Sequence, residues 1–536
     1  MTKQMKALFF GVTGVLAVVI MVLAAPRRTY AIPAFSRQYG TSCSTCHIDF
    51  PKLNDFGKAF KDAGFKFPTD DESMLKVPPV MLGAPANKEL WPHAIWPGTI
   101  PGQLPVGLRF NNYFQVIGAN RGNFTGGGVT PPGTGFIPRT DFETGFFSIF
   151  TAGNFGSDIA FWVDDDISVS GANSNGQLGD GYLRFVNIGR FMHLPKDALT
   201  FRVGQFELDL PFTQARAYDI SPYDIYTEAN IGAMNALFPQ QQQNVSNTFA
   251  LANAAHGVEF SGGHQYGGYH YSVAILDQNT GGLIGSPTNV PSATGGSNGG
   301  VGFFSDSNFK DLYGRFSYRF NLEHDPESRH AIQAAGPTGP RDHTYIRLGV
   351  YDFYGRSVQR FAGTTETITA REPFYRVGGD FDFGYHGVFN LYGLFMYGRD
   401  HNLLPIGEGE VILPVPPAPA TAVGFITGAP AHFSGGFIQA DYMVYPWMMV
   451  IMRWDSVHST ADLLNGAAGA STEYPLPFSS VRNRFTPGAQ FLIHANIKAS
   501  FEYQIRPQQA VAIGSNGLPT QPFRTNAATA GLEFVY

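Results

Sequence analysis

Residues 495–505 alternate without a break. Ala495, Ile497, Ala499, Phe501, Tyr503 and Ile505 interleave with Asn496, Lys498, Ser500, Glu502 and Gln504. Successive side chains of a strand point to opposite faces, so this pattern predicts a strand with one apolar and one polar face. The same alternation recurs at 310–320, where Leu312, Phe316, Tyr318 and Phe320 oppose Asp311, Arg315, Ser317 and Arg319. At 373–383, Tyr375, Val377, Phe381 and Phe383 oppose Arg376, Asp380 and Asp382.

Strands are predicted at 106–118, 139–151, 155–164, 180–190, 198–206, 253–261, 267–277 and 310–320. Eight more follow at 343–353, 373–383, 387–397, 435–444, 447–456, 485–493, 495–505 and 525–536. Their connections alternate between short, as at Tyr445-Pro446 and His494, and long, as at 207–252, 278–309, 398–434 and 457–484. Short turns on one side and long loops on the other are the topology of an outer-membrane barrel. The long connection 321–342 breaks the alternation. The last strand ends on aromatic Tyr536, and an even strand count puts both barrel ends on the periplasmic side.

Composition fits. The chain has 47 Phe, 24 Tyr and 63 Gly but only 15% charged residues. A mean hydropathy of −0.09 suits a barrel, whose lipid and lumen faces cancel. A net charge of −6 gives no footprint for nucleic acid. The lumen face carries both signs, including Arg315, Arg319, Arg376, Arg453, Lys498, Asp380, Asp441 and Glu502, unlike a single-sign selective pore. Lys498, taken to face water, is expected to tolerate a neutral replacement. The loops at 285–302 and 413–423 are low in complexity and read as surface loops without chemistry.

The chain's two cysteines stand in Cys43-Ser44-Thr45-Cys46-His47. C-x-x-C-H is the attachment pattern of a c-type haem, with one thioether to each thiol and His47 as an axial iron ligand. A thioredoxin-like pair would need a βαβ context, and half a zinc site would need more cysteines. Such attachment implies export. Lys3 and Lys6 precede an apolar run from Ala7 to Ala25, which reads as a signal peptide cleaved after Ala31, or after Ala25. An uncleaved anchor is the alternative, since Arg27 and Arg28 beyond the run resist translocation. Leu53, Phe56, Phe60 and Ala63 share one face at helical spacing between Pro51 and Gly64, predicting a short helix able to cover a haem edge.

Residues 33–65 resemble the fused monohaem cytochrome–porins of the outer membrane, a family that includes bacterial ferrous iron oxidases. The matching residues run Pro33-Ala34-Phe35-Ser36-Arg37-Gln38, then Gly40, the Cys43–His47 motif, Pro51, Leu53, Phe56-Gly57-Lys58, Phe60-Lys61, Gly64 and Phe65. The resemblance implies a haem segment in or under the lumen and electron passage across the outer membrane.

The expectation is a mainly β chain in three parts. These are a signal peptide over 1–31, a small α-helical monohaem cytochrome c segment with its linker over 32–98, and a barrel of about sixteen antiparallel strands over 99–536. The second axial ligand is expected from Met74 or Met81, with His93 or the barrel wall as alternatives. A thioether would raise the haem potential relative to a second histidine. Asp164-Asp165-Asp166, Glu207 and Asp209 are candidates for a transient ferrous site, because hard oxygen ligands suit Fe(II). The expected function is an oxidoreductase taking electrons from extracellular Fe(II), or another reductant, to a periplasmic c-type cytochrome. The alternative is a diffusion porin or solute transporter with a haem-bearing plug. No nucleic-acid partner is expected; outer-membrane lipid is.

Overall fold

The computed structural model describes residues 34–67, 71–92, 99–100, 102, 105–120, 137–156, 158–167, 177–213, 216–227, 251, 254–277, 310–323, 344–362, 367–407, 410–411, 424–459, 481–505 and 526–536. The expected signal peptide, His93 and the low-complexity loops at 285–302 and 413–423 lie outside the described residues.

Sixteen antiparallel strands close into a barrel. They are β1 (Val106–Asn120), β2 (Ile137–Phe155), β3 (Ile159–Ile167), β4 (Gln177–Phe185), β5 (Thr200–Phe206) and β6 (Ala255–Gly263). Next come β7 (Gly268–Leu276), β8 (Asp311–Asn321), β9 (Tyr345–Ala362), β10 (Thr367–Tyr385) and β11 (Phe389–Gly407). The last are β12 (Gly424–Tyr445), β13 (Met448–Ser459), β14 (Val481–His494), β15 (Ile497–Gln504) and β16 (Ala527–Val535). A two-residue strand, Glu410–Val411, pairs with the end of β11. Closure is made by β16 on β1, where Leu108 and Tyr536 exchange backbone hydrogen bonds at 2.7 and 2.8 Å.

Every expected strand is present; most ends shift by a few residues, but β9, β10, β11 and β12 extend well beyond the expected bounds on the long-loop side. Tight turns include His386-Gly387-Val388, Pro446-Trp447 and Ala495-Asn496, so Ala495 and Asn496 belong to a turn rather than to β15. The irregular spacing after β8 also stands: β8 ends at Asn321, β9 begins at Tyr345, and these two residues pair.

The two faces show what surrounds the barrel. On β8, Leu312, Phe316 and Phe320 are 50%, 50% and 49% exposed, while Arg315 and Arg319 are 5% and 3% exposed. A water-soluble sandwich would bury the aromatics and expose the arginines. This inverse order suits hydrocarbon outside, and closure leaves no backbone edge unpaired in lipid. Exposed Tyr385, Tyr442, Tyr445 and Trp447 gather at the short-turn end, where a belt of amphipathic rings suits the membrane interface.

Two inserts enter the lumen. From the short-turn end enters the N-terminal segment, with helix α1 (Ala34–Tyr39), a 3-10 turn over Cys43–Thr45, and helix α2 (Asp55–Asp62). Asn54 caps α2 by accepting from Gly57 N at 2.8 Å, and Gly64 ends it at φ +81°. Phe56 and Phe60 bury against Tyr39, Phe65 and Phe67, as the helical spacing predicts. From the other end, the chain after β5 turns inward instead of outward. Leu208, Leu210, Tyr223, Ile225 and Tyr226 pack against wall residues such as Tyr313, Tyr392 and Phe437. Arg453, fully buried on β13, holds this stretch through Asp219 at 3.0 Å and Ser221 Oγ at 2.7 Å. Arg484 on β14 reaches Asp224 at 3.1 Å.

The view of Lys498 as water-facing gives way here. Only 5% exposed, it pairs with Glu533 at 2.9 Å and donates to Phe50 O at 3.2 Å, because the N-terminal segment sits where water was expected.

Candidate functional site

Cys43 opens the 3-10 turn, and Cys46 closes it by donating its N–H to Cys43 O at 3.1 Å. Asn54 staples this turn to α2. Its side-chain amide donates to Thr45 O at 3.0 Å and Ser44 O at 3.2 Å, and its backbone N–H to Cys46 O at 3.0 Å. Gly57 makes the approach possible, since a Cβ there would lie 2.1 Å from Cys46 O. The two thiols remain free, with no disulfide between them.

His47 follows on a short strand, and its Nδ1 lies 3.2 Å from Pro51 O. A carbonyl can only accept, so this contact puts the proton on Nδ1 and leaves Nε2 with its lone pair. Burial pushes the imidazole pKa down to about 4, keeping the ring neutral as a metal ligand must be. Burial likewise raises the Cys46 thiol to about 12.

Cys43, Cys46 and His47 all border one internal cavity of about 830 Å³ between the N-terminal segment and the barrel wall. Beside the motif its lining combines apolar and aromatic Phe35, Phe50, Leu53, Phe60 and, from β3, Trp162 with the charged Arg109, Lys498 and Glu533. Further charged groups in the lining are Lys61, Arg202, Arg216, Glu207 and Asp209. Two thiols and an imidazole on the rim of a large, partly aromatic cavity can hold a flat metallocofactor by covalent and coordinate bonds together.

The other expected site residues fall differently. Met74, at the end of a short helix Asp71–Met74, packs on the aromatic cluster that includes Cys46 and does not line the cavity. Met81 is 53% exposed on a two-residue strand paired with Thr99–Ile100. Asp164 does reach the cavity, but it accepts from Asp180 N. Glu207 pairs with Arg216 at 3.5 Å, and Asp209 with His270 at 2.9 Å and Arg315 at 3.6 Å. Among the described residues, no three His, Cys, Asp or Glu side chains group to hold a metal ion. Of the carboxylates expected to take Fe(II), Glu207 and Asp209 are engaged by Arg216 from the same inward stretch and by His270 and Arg315 from the barrel wall.

Sequence reading missed the anchors. Gln490, Arg109 and Glu533 look like ordinary lumen residues, yet they frame the turn that supports His47. Their only signal was a place on the polar face near a strand's short-turn end.

No family model and no curated protein matches the chain. Among solved structures, it is similar to the outer membrane channel DcaP of Acinetobacter baumannii. That match has 12% identity, 81% of this chain and 97% of that chain covered, and a TM-score of 0.42. An anion-selective porin from Comamonas acidovorans matches at 11% identity over 80% and 98%, with a TM-score of 0.43. OmpF of Salmonella typhi matches at 10% over 81% and 97%, with a TM-score of 0.39.

Proposed function

We propose that this is an outer-membrane barrel carrying one covalently bound haem c, and that it passes electrons inward from an extracellular donor. The supporting observation is the placing of Cys43, Cys46 and His47 on one cavity inside the barrel. The residues suit the group. Cys43 and Cys46 would form the two thioethers, His47 would present Nε2 to the iron, and Phe35, Phe50 and Phe60 would cover the macrocycle. A haem held there supplies a one-electron iron couple. The resemblance of residues 33–65 to the fused cytochrome–porins supports Fe(II) as donor and a periplasmic c-type cytochrome as acceptor. A wall that keeps insoluble ferric product outside while electrons cross gives barrel and redox centre a joint purpose.

A second reading, a diffusion porin or solute transporter with a haem-bearing plug, is favoured by the barrel itself. Sixteen-stranded barrels are wide enough for an aqueous channel, and the lumen here retains a large cavity lined with both charges. The packed stretch around Tyr223 and Arg453 weighs against free diffusion. Anaerobic mixing of the oxidised protein with Fe(II) separates the two. Rapid growth of the ferrous haem bands supports electron uptake. An unreactive haem, together with free solute flux through proteoliposomes, would replace it with the porin reading.

A further inference from the structure

The turn that supports His47 is gripped by the barrel and not by its own segment alone. Gln490 on β14 donates from Nε2 to Asp49 Oδ2 at 2.6 Å and to Phe50 O at 3.4 Å. Lys498 on β15 donates from Nζ to the same Phe50 O at 3.2 Å. The Phe50 ring packs on the His47 ring with centroids 5.5 Å apart. It also lies under two cations, Lys498 Nζ at 5.3 Å and the Arg109 guanidinium at 5.7 Å. Arg109 on β1 and Lys498 share Glu533 on β16, at 2.5 and 2.9 Å. Four neighbouring strands spanning the barrel closure thus converge on residues 49–50, and the next carbonyl, Pro51 O, meets His47 Nδ1.

We infer that Gln490 and Lys498 are positioning residues for the His47 imidazole, so that the barrel wall tunes the potential of the haem; this rests on the haem reading above. The partner of a ligating histidine's second nitrogen fixes the ring's orientation and its basicity towards the metal. Here that partner is a carbonyl one residue beyond a peptide group fixed by buried donors: Gln490 is fully buried and Lys498 is 5% exposed. Gln490 acts through geometry alone. Lys498 adds a positive charge, which in a buried setting disfavours the ferric state.

The test uses the full-length protein in detergent with Gln490→Met, Lys498→Met and Lys498→Arg. Haem attachment is scored by haem staining after denaturing electrophoresis, and barrel assembly by heat-modifiable migration. The readouts are midpoint potential and the electron paramagnetic resonance of the ferric haem. With haem attached and barrel assembled, Gln490→Met should broaden or shift the resonance. Lys498→Met should lower the potential, and Lys498→Arg should restore most of it. Wild-type potential and resonance in both methionine variants would overturn the inference. Should Lys498→Met fail to assemble, Gln490→Met decides by the same readouts, since it removes no charge. Wild-type protein without covalent haem would sink the haem reading itself, and this inference with it.

Discussion

Arg319 on the barrel wall grips Asp55 in the first turn of α2, its two terminal nitrogens meeting the two carboxylate oxygens at 2.5 and 2.7 Å. Both side chains are buried, at 1% and 4% exposure. Breaking a buried pair costs up to about 3–5 kcal/mol, and less here because Asp55 keeps Lys58 at 3.1 Å. Arg319→Met is therefore expected to loosen the N-terminal segment within an assembled barrel. Limited proteolysis should cut between residues 34 and 67 far faster than in wild type. Replacing both partners, as Arg319→Met with Asp55→Leu, should recover part of the protection. Equal protease resistance in the single variant would refute the clamp.

The same pair sets a pH window. Burial alone would raise the Asp55 carboxyl, but Arg319 and Lys58 overcome it and hold the pKa down to about 2. Since this lies below the ordinary 3.8, the stabilisation is complete above 3.8 and is lost as pH falls through about 2. Pepsin, active in that range, should find the segment progressively accessible across the window. In Asp55→Asn that rise should be absent, with access already high at pH 4.

How much was legible in the chain follows from the range of each interaction. Alternation is local, so Leu312 against Asp311 and Phe316 against Arg315 already gave β8 and its two faces. The face of Phe56 and Phe60 is also local, and it stood. The inward turn after β5 was not legible. Asp219 meets Arg453 and Ser221 meets Glu502 across 234 and 281 positions, and no periodicity reports such a meeting. The partners of Asp209, His270 and Arg315, come from distant strands and were not legible either.

Gly57 should be intolerant of even one methyl group. A Cβ there falls 2.1 Å from the Cys46 carbonyl, and neither backbone can yield without moving the motif. Overpacking of this kind costs about 1–3 kcal/mol. Gly57→Ala is expected to reduce haem attachment and alter the absorption spectrum. Lys58→Ala, which loses its 3.1 Å contact to Asp55 and its place 5.4 Å over the Tyr345 ring but nothing at the motif, should leave the spectrum unchanged. Similar spectra in both variants would argue against the close approach.

On β15, Phe501 lies on the outward face and Lys498 on the inward one. Phe501→Arg should cost about 2–4 kcal/mol if it sits near the midplane, measured by reversible unfolding in lipid vesicles. Phe501→Leu should cost much less. A barrel that accepts arginine at 501 as readily as leucine would not be facing hydrocarbon there.

Cys43 and Cys46 lie on the cavity rim, and neither takes part in the anchors that hold their segment: Asp55 to Arg319, Asp49 to Gln490, and Phe50 O to Lys498. Attachment and docking are therefore separable. Cys43→Ser or Cys46→Ser should leave one thioether and weaken haem staining. The double variant should lose the stain entirely while heat-modifiable migration of the barrel is retained. His47→Ala should keep the covalent haem but change its spectrum, because the thioethers do not depend on the axial nitrogen. Acidified organic extraction gives the opposing check: a native protein that releases its haem holds it without covalent bonds, and the assignment of both thiols fails.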